Sequence, residues 1–444
     1  MATTQIFFAS SLFGAATLAA AIDSGGFAAA DRRLLLVSNN AVTPETTPSL
    51  DRMPGFERLR DRFDEVLSWN EAISPFHPSG WAPRSDDVPL WERHLRRLWD
   101  LGDDRIELAV ESIQVNPALA IAQLFPDAAL DVYADGLMSY GPTRNKIDPL
   151  VGERVRRLLH LDLVPGLKPL LLAEFEVEPQ LVPTEAFVKV VAELSDAVPD
   201  ACEGVAEGPA LLLGQYLAAL DIITAEEEEA LHVGMLAGAA ALGHHRIVFK
   251  PHPTAPAAWT RTLEREAEKL GVELTVLERP LLAEVLFRQL RPALVAGCFS
   301  TALFTAGAFY GTPVARVGTE PLLDRLSPYQ NSNRVPVTLA DALLPDLAAG
   351  EAGAPTEADE QLAGLIGAVG FAMQPQLRPD LRPAAERWLG SSLDAHTSRY
   401  FKRRRLTILG LPGGLPVPRG KTVRRVVRRG RRLRRALKRV AALG

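Results

Sequence analysis

The chain of 444 residues has only two cysteines, Cys202 and Cys298. Two thiols cannot build a disulfide framework and these lack metal-site spacing, so a reducing compartment is the easier home and both read as buried apolar fillers. The apolar run Gln5 to Ile22 has no Lys or Arg before it; the first basic residues, Arg32 and Arg33, follow it. A secretory leader carries its basic residues first, so a strand from Gln5 to Ala9, a turn at Ser10, Ser11 and Gly14, and a helix through Ala21 are expected instead. No other run approaches the roughly 18 apolar residues that read as a membrane span. Asp-x-Asp is missing, which removes a metal-holding carboxylate pair, and so are Gly-x-x-x-x-Gly-Lys and Gly-x-Gly-x-x-Gly, the common phosphate-loop signatures. His244-His245 has no carboxylate or Cys at ligand spacing and reads as a solvated turn. No metal or cofactor is expected.

Acidic residues are absent from Arg399 to Gly444, which carries 17 of the 49 Lys and Arg, leaving 32 basic against 54 acidic residues in the remainder, a net of −22. An acidic body with a basic tail implies catalysis or binding in one part and attachment to something anionic in the other. With 47% apolar and 23% charged residues, the body is globular and long enough for two domains.

Short apolar strands alternate with amphipathic helices, the pattern of α/β sheets with crossover connections. In the first half the strands are Gln5 to Ala9, Arg33 to Ser38, Ile106 to Glu111 and Leu130 to Ala134. Leu161 to Pro169 and Leu170 to Glu174 are further candidates. Asn116-Pro117 reads as a helix start, cap then proline, for a helix to Leu124. A polar stretch from Ser195 to Gly208 reads as the linker. Beyond it come strands Ala210 to Tyr216, Arg246 to Lys250, Glu273 to Leu277, Ala293 to Ala296 and Pro313 to Val317. The helices between them are Glu226 to Leu242, Arg261 to Leu270, Leu281 to Gln289 and Thr301 to Phe309. Two later helices are expected at Glu360 to Met373 and Pro383 to Leu389. The fold class is α/β: two facing doubly wound, Rossmann-like domains, the GT-B architecture, spanning 1–200 and 201–398, with a basic helical tail over 399–444.

Three places carry chemistry. Tyr133-Ala134-Asp135-Gly136 puts a carboxylate and a glycine where a strand ends, facing the crevice in which α/β proteins bind ligands. By itself Asp-Gly is an ordinary turn. In Lys250-Pro251-His252-Pro253, two prolines stiffen the backbone around one histidine, which fixes where the imidazole points. In Gly297-Cys298-Phe299-Ser300-Thr301, two hydroxyls open an apolar helix; its unpaired N–H groups and dipole favour an anion there, and Ser300 also suits simple capping. Arg144 and Lys146, just beyond Gly136, are weaker candidates for meeting an acidic acceptor; ordinary loop charges are the favoured reading.

In this order and spacing the three places resemble the bacterial sialyltransferases, especially the polysialyltransferase-like group, over roughly Thr4 to Leu389. That family has an acidic-acidic-Gly motif in the first domain, then His-Pro and a Ser/Thr pair in the second. These map onto Asp135-Gly136, His252-Pro253 and Ser300-Thr301. The first acidic position is occupied by Ala134 here. The resemblance implies an inverting, metal-independent transfer of sialic acid from CMP-sialic acid to a glycan, with polysialic acid or a capsule or glycolipid acceptor among the candidates. Asp135 would be the base. His252 would hold the donor phosphate with Ser300 and Thr301, and Lys250, Gly136, Pro253 and Gly297 would help bind the donor. A Kdo or other ulosonic acid transferase is the alternative, because a Lys-Pro-His-Pro-like loop serves those enzymes too. A non-catalytic scaffold for membrane or nucleic acid is the alternative of another class.

In the tail, Val426, Leu433, Leu437 and Val440 share one helical face among arginines. Aliphatic residues interleaved with arginine, with no aromatic platform, favour an anionic membrane over nucleic acid. The expected location is cytoplasmic, peripheral on the inner face of the plasma membrane.

Overall fold

The structure is a computed structural model that describes residues 2–134, 136–205, 207–215, 217–251 and 257–415. The first sheet has seven strands: β1 (Thr3–Ala9), β2 (Arg32–Val37), β3 (Glu65–Ser68), β4 (Arg105–Glu111), β5 (Ala129–Tyr133), β6 (Val155–His160) and β7 (Glu178–Leu181). Their spatial order is β3-β2-β1-β4-β5-β6-β7. The second sheet comprises β8 (Ala210–Leu213), β9 (Arg246–Lys250), β10 (Glu273–Val276), β11 (Leu294–Gly297) and β12 (Val314–Arg316), ordered β10-β9-β8-β11-β12. Every pairing between these strands is parallel. Both sheets are doubly wound, and the chain has the two-domain GT-B architecture. Strand order reverses between β1 and β4 in the first sheet and between β8 and β11 in the second. Such switch points open a crevice beyond the carboxyl ends of the strands, where this class of sheet binds its ligands.

Central strands of a parallel sheet are covered on both faces, which is why β1 reads as a continuous apolar run. Its Phe7 and Ala9 enter one hydrophobic cluster, which extends into the second sheet. Ile6 and Phe8, pointing the opposite way, enter a second cluster on the far face of the first sheet. The N-terminal run thus forms the central strand β1 and the buried helix Leu12–Asp23, capped by Ser11, whose side chain accepts from the Gly14 N–H. That matches the expected strand, turn and helix.

The halves meet through side chains as well as chain connectivity. The helix Thr184–Asp196 packs on the helix Ala283–Leu290. The Phe187 ring lies 5.3 Å from that of Phe13 and 5.9 Å from that of Phe309. From the second half, Gln289 Nε2 donates to the Val198 carbonyl at 2.9 Å. Later, the helix Glu360–Met373 crosses toward the first sheet, where Gln374 Nε2 donates to the Arg144 carbonyl.

Several expectations are corrected. The two strands expected within 161–174 are absent. That segment is an apolar loop whose Leu163, Val164, Leu167, Leu171 and Leu172 are buried. Its backbone is satisfied locally, with Val164 N–H donating to Tyr140 Oη at 3.1 Å and Leu172 N–H to Thr143 Oγ1 at 3.0 Å. A hydrophobic run with such partners needs no ladder. The strands there are β6 and β7, on either side. Strand β3, short and at the sheet edge, was not expected. Nor were the helices Thr319–Arg325, Arg334–Leu343 and Arg403–Leu409. Asn116 does not cap: Pro117 holds that position and the helix runs Ala118–Leu124.

The segment 399–411, expected in the tail, packs on the body. Tyr400, Phe401, Leu406 and Leu411 are buried, and Arg405 Nε donates to the Ala372 carbonyl at 2.7 Å. Interleaved apolar side chains, not the basic count, decide this. Tail residues 416–444 lie outside the described residues. Among the described residues no helix is long and apolar enough to cross a membrane.

Candidate active site

The carboxyl ends of both sheets face one cleft. A cavity of about 460 Å³ is lined by Ser11 and Glu111 from the switch point of the first sheet. Leu213, Gly214, Ser300 and Thr301 from that of the second face them, and Lys250, Pro251 and Glu284 complete its wall. A neighbouring cavity of about 340 Å³ shares Gly214, Ser300 and Thr301 and is lined further by Gly136, Leu137, Met138, Gln215, Phe299 and Asn333. The hydroxyl pair therefore forms the ridge between two adjoining cavities.

Of the first motif, Asp135 lies outside the described residues. Its neighbours define the place. Tyr133 ends β5, and its hydroxyl donates to the Phe8 carbonyl at 3.0 Å, tying β5 to β1 across the sheet. Gly136 is buried at φ 141°, ψ −151°, a region essentially reserved for glycine. A Cβ there would stand 2.5 Å from Thr301 Oγ1. Leu137 N–H donates to the same oxygen at 3.4 Å. The first and third motifs, with Gly136 and Thr301 165 residues apart, are in contact.

In the third motif, Ser300 is the cap of the helix Thr301–Tyr310 and accepts from Ala302 N–H at 3.3 Å. Thr301, one residue on, bridges to the first half. Gly297 ends β11 beneath them and lines neither cavity; it accepts from Val317 N–H at 2.9 Å. Phe299 N–H donates to Gln215 Oε1 at 2.9 Å, which holds the approach to the helix. An apolar helix whose N-terminus opens on a crevice is suited to a phosphate.

Of the second motif, His252 and Pro253 lie outside the described residues. Lys250, at the end of β9, lines the larger cavity, and its carbonyl accepts from Gly214 N–H at 2.9 Å. Burial pulls its ammonium below the ordinary lysine value, an effect opposed by the nearby Glu284. Burial conversely raises the Glu284 carboxyl, which accepts from Thr305 Oγ1 at 2.7 Å. Each of this pair offsets part of the other's desolvation.

Arg144 and Lys146 line neither cavity. Arg144 is anchored through its backbone, its N–H donating to Gln114 Oε1 at 2.7 Å; Lys146 is exposed. Reading the sequence missed Glu111, Gln215, Glu284 and Asn333. Glu111 had a visible signal, a carboxylate ending a predicted strand. Glu284 sits on a helix and Asn333 in a loop, with nothing local to mark them.

The family model for alpha-2,8-polysialyltransferases matches residues 5–319, which contain both sheets and all three motifs. The chain belongs to this family. It is accordingly a glycosyltransferase of the sialyltransferase kind, and the scaffold alternative falls away. No match is found among curated proteins. Among solved structures, the GT-B domain of a sialyltransferase from Photobacterium damselae is similar at 11% identity and a TM-score of 0.41, covering 76% of this chain and 95% of that one. A 2,6-sialyltransferase of a Photobacterium species, solved with CMP and lactose, is similar at 12% identity and a TM-score of 0.40, covering 76% and 75%. An E. coli heptosyltransferase reaches 11% identity and 0.37, covering 71% and 88%. At such scores these likenesses are loose.

Proposed function

We propose that this cleft transfers a sialic acid residue from CMP-sialic acid to a glycan hydroxyl in one inverting displacement. The observation that carries the reading is the contact of Gly136 with Thr301, which sets the end of β5 against the helix N-terminus of the second half. A base on one wall and a phosphate holder on the other are what this reaction needs. The leaving group is already good, so the remaining barrier lies in deprotonating the acceptor and stabilising the departing phosphate. Asp135 takes the proton from the attacking hydroxyl. His252, Ser300, Thr301 and the helix N-terminus neutralise the phosphate, with Lys250 adding positive charge at the cavity wall. No step calls for a metal, so a chelator leaves the rate unchanged.

The test is a donor panel run on the wild type, Asp135→Asn and His252→Ala. Transfer from CMP-sialic acid, lost in both variants while each stays folded, supports the assignment. Full activity in both, or turnover with CMP-Kdo in place of CMP-sialic acid, overturns it. The tail beyond Leu415 attaches the enzyme to anionic lipid, where membrane-linked acceptors are found. Deleting 416–444, which leaves the packed segment 399–411 in place, is expected to abolish sedimentation with phosphatidylserine vesicles and preserve turnover of a soluble acceptor. Persistent vesicle binding refutes that role.

A further inference from the structure

We propose that Glu111 is an acceptor-binding residue: its carboxylate takes a hydrogen bond from a hydroxyl of the acceptor sugar and so positions the acceptor for attack. The inference rests on the transferase reading above. Glu111 ends β4, the strand beside the switch point of the first sheet, and lines the larger cavity together with Lys250 and Thr301. Its orientation is built in. Glu111 Oε2 accepts both the Ser10 N–H at 3.0 Å and the Ser10 Oγ–H at 2.5 Å, from the turn that closes β1.

The backbone that follows is strained. Ser112 and Ile113 stand at φ 49° and 48°, a left-handed conformation that is costly for a β-branched residue. Ile113 is fully buried, and Ser112 N–H donates to the Tyr133 carbonyl at 3.0 Å. The turn after Glu111 is therefore locked to the end of β5, two residues before Asp135. Conformations of this kind persist where the surrounding structure overdetermines them, and they cluster at ligand sites.

The donor phosphate is assigned above to Ser300, Thr301 and the helix N-terminus of the second half, which leaves Glu111, on the first-sheet wall, to the acceptor, and a sugar hydroxyl is a natural donor to its carboxylate. The family pattern has two acidic residues before its glycine. Here the first is Ala134, which is buried, and Glu111 returns a second carboxylate to the cleft from the neighbouring strand.

The experiment is steady-state kinetics of Glu111→Gln on the full chain, with CMP-sialic acid and a sialylated oligosaccharide varied in turn. Glutamine keeps the volume and an oxygen for the Ser10 donors, so loss of that anchoring does not account for a change confined to acceptor KM. The expected result is an acceptor KM raised roughly 10- to 100-fold with unchanged donor KM and melting temperature. Wild-type kinetics, or a rise in donor KM alone, overturns the proposal. Glu111→Ala should show the same acceptor effect, with a lower melting temperature because the Ser10 donors lose their partner. A wild type that transfers no ulosonic acid from any CMP donor overturns the transferase reading, and this proposal with it.

Discussion

Replacing Gly136 by alanine tests whether the contact between the two halves of the site is as tight as the geometry states. Two costs arise. The residue sits at φ 141°, ψ −151°, and holding a non-glycine residue in that region costs about 1–3 kcal/mol. Its new methyl would also stand 2.5 Å from Thr301 Oγ1 and 3.4 Å from Thr301 Cβ and Cγ2. Relief requires Thr301 to rotate, which gives up its bond from Leu137 N–H, or the halves to part. About 2 kcal/mol is a reasonable lower expectation, which for a unit of some 200 residues lowers Tm by about 4–8 °C. Activity should fall further than stability, because the displaced residue belongs to the phosphate-holding ridge. Thermal melts and initial rates of Gly136→Ala, Thr301→Ala and the double variant separate the terms. Thr301→Ala removes the clashing oxygen and leaves the backbone strain, so the double variant should recover about 1 kcal/mol relative to additivity. A Gly136→Ala protein that melts within about 1 °C of wild type, or a strictly additive pair, would refute the reasoning.

His232 is buried against the Phe249 ring at 5.1 Å, and burial lowers its imidazole to about 4. Because the unfolded chain takes the proton first, native stability falls as pH drops from about 6.5 to 4. At about 1.4 kcal/mol per pH unit of displacement the loss is roughly 3 kcal/mol. His232→Phe should flatten acid unfolding in that window, and an unchanged pH profile would rule the account out. Asp341 binds Thr319 Oγ1 at 2.6 Å, Tyr400 Oη at 2.9 Å and Arg399 at 2.7 Å, with Arg316 at 3.5 Å. Asp341→Ala leaves Arg316 with Asp346 alone, at 3.1 Å, and strips the buried Thr319 and Tyr400 hydroxyls of their acceptor, which should cost about 1–3 kcal/mol. Denaturation that shifts by less than about 1 kcal/mol would show the network to be dispensable.

Much of the fold follows from patterns that are local. Alternation of apolar strands and periodic helices marks most of the elements, because a covered parallel sheet demands apolar runs and its crossover helices demand one apolar face. Glu360–Met373 came out at its expected bounds, its Asp359 cap and apolar face both being readable. Where apolar content served a different purpose, local pattern misled. The loop 161–172 looked like strand because it fills the space beneath Tyr140 and Ser139. The segment 399–411 looked like tail because Arg399, Lys402, Arg403, Arg404 and Arg405 surround the apolar residues that bind it to the body.

The site divides the same way. Gly136, Lys250, Ser300 and Thr301 were legible because strand ends and helix starts announce themselves through glycine, proline and hydroxyl residues. The sequence by itself determined two doubly wound sheets, a hydroxyl-capped helix N-terminus and an acidic body with a basic end. Only the tertiary structure decided that both switch points face one cleft, that Gly136 touches Thr301, and that Glu111 and Lys250 line the same cavity. Those relations depend on strand order and on how the two sheets pack, and both are set by contacts between residues from about twenty to more than a hundred and sixty positions apart, which no local pattern encodes.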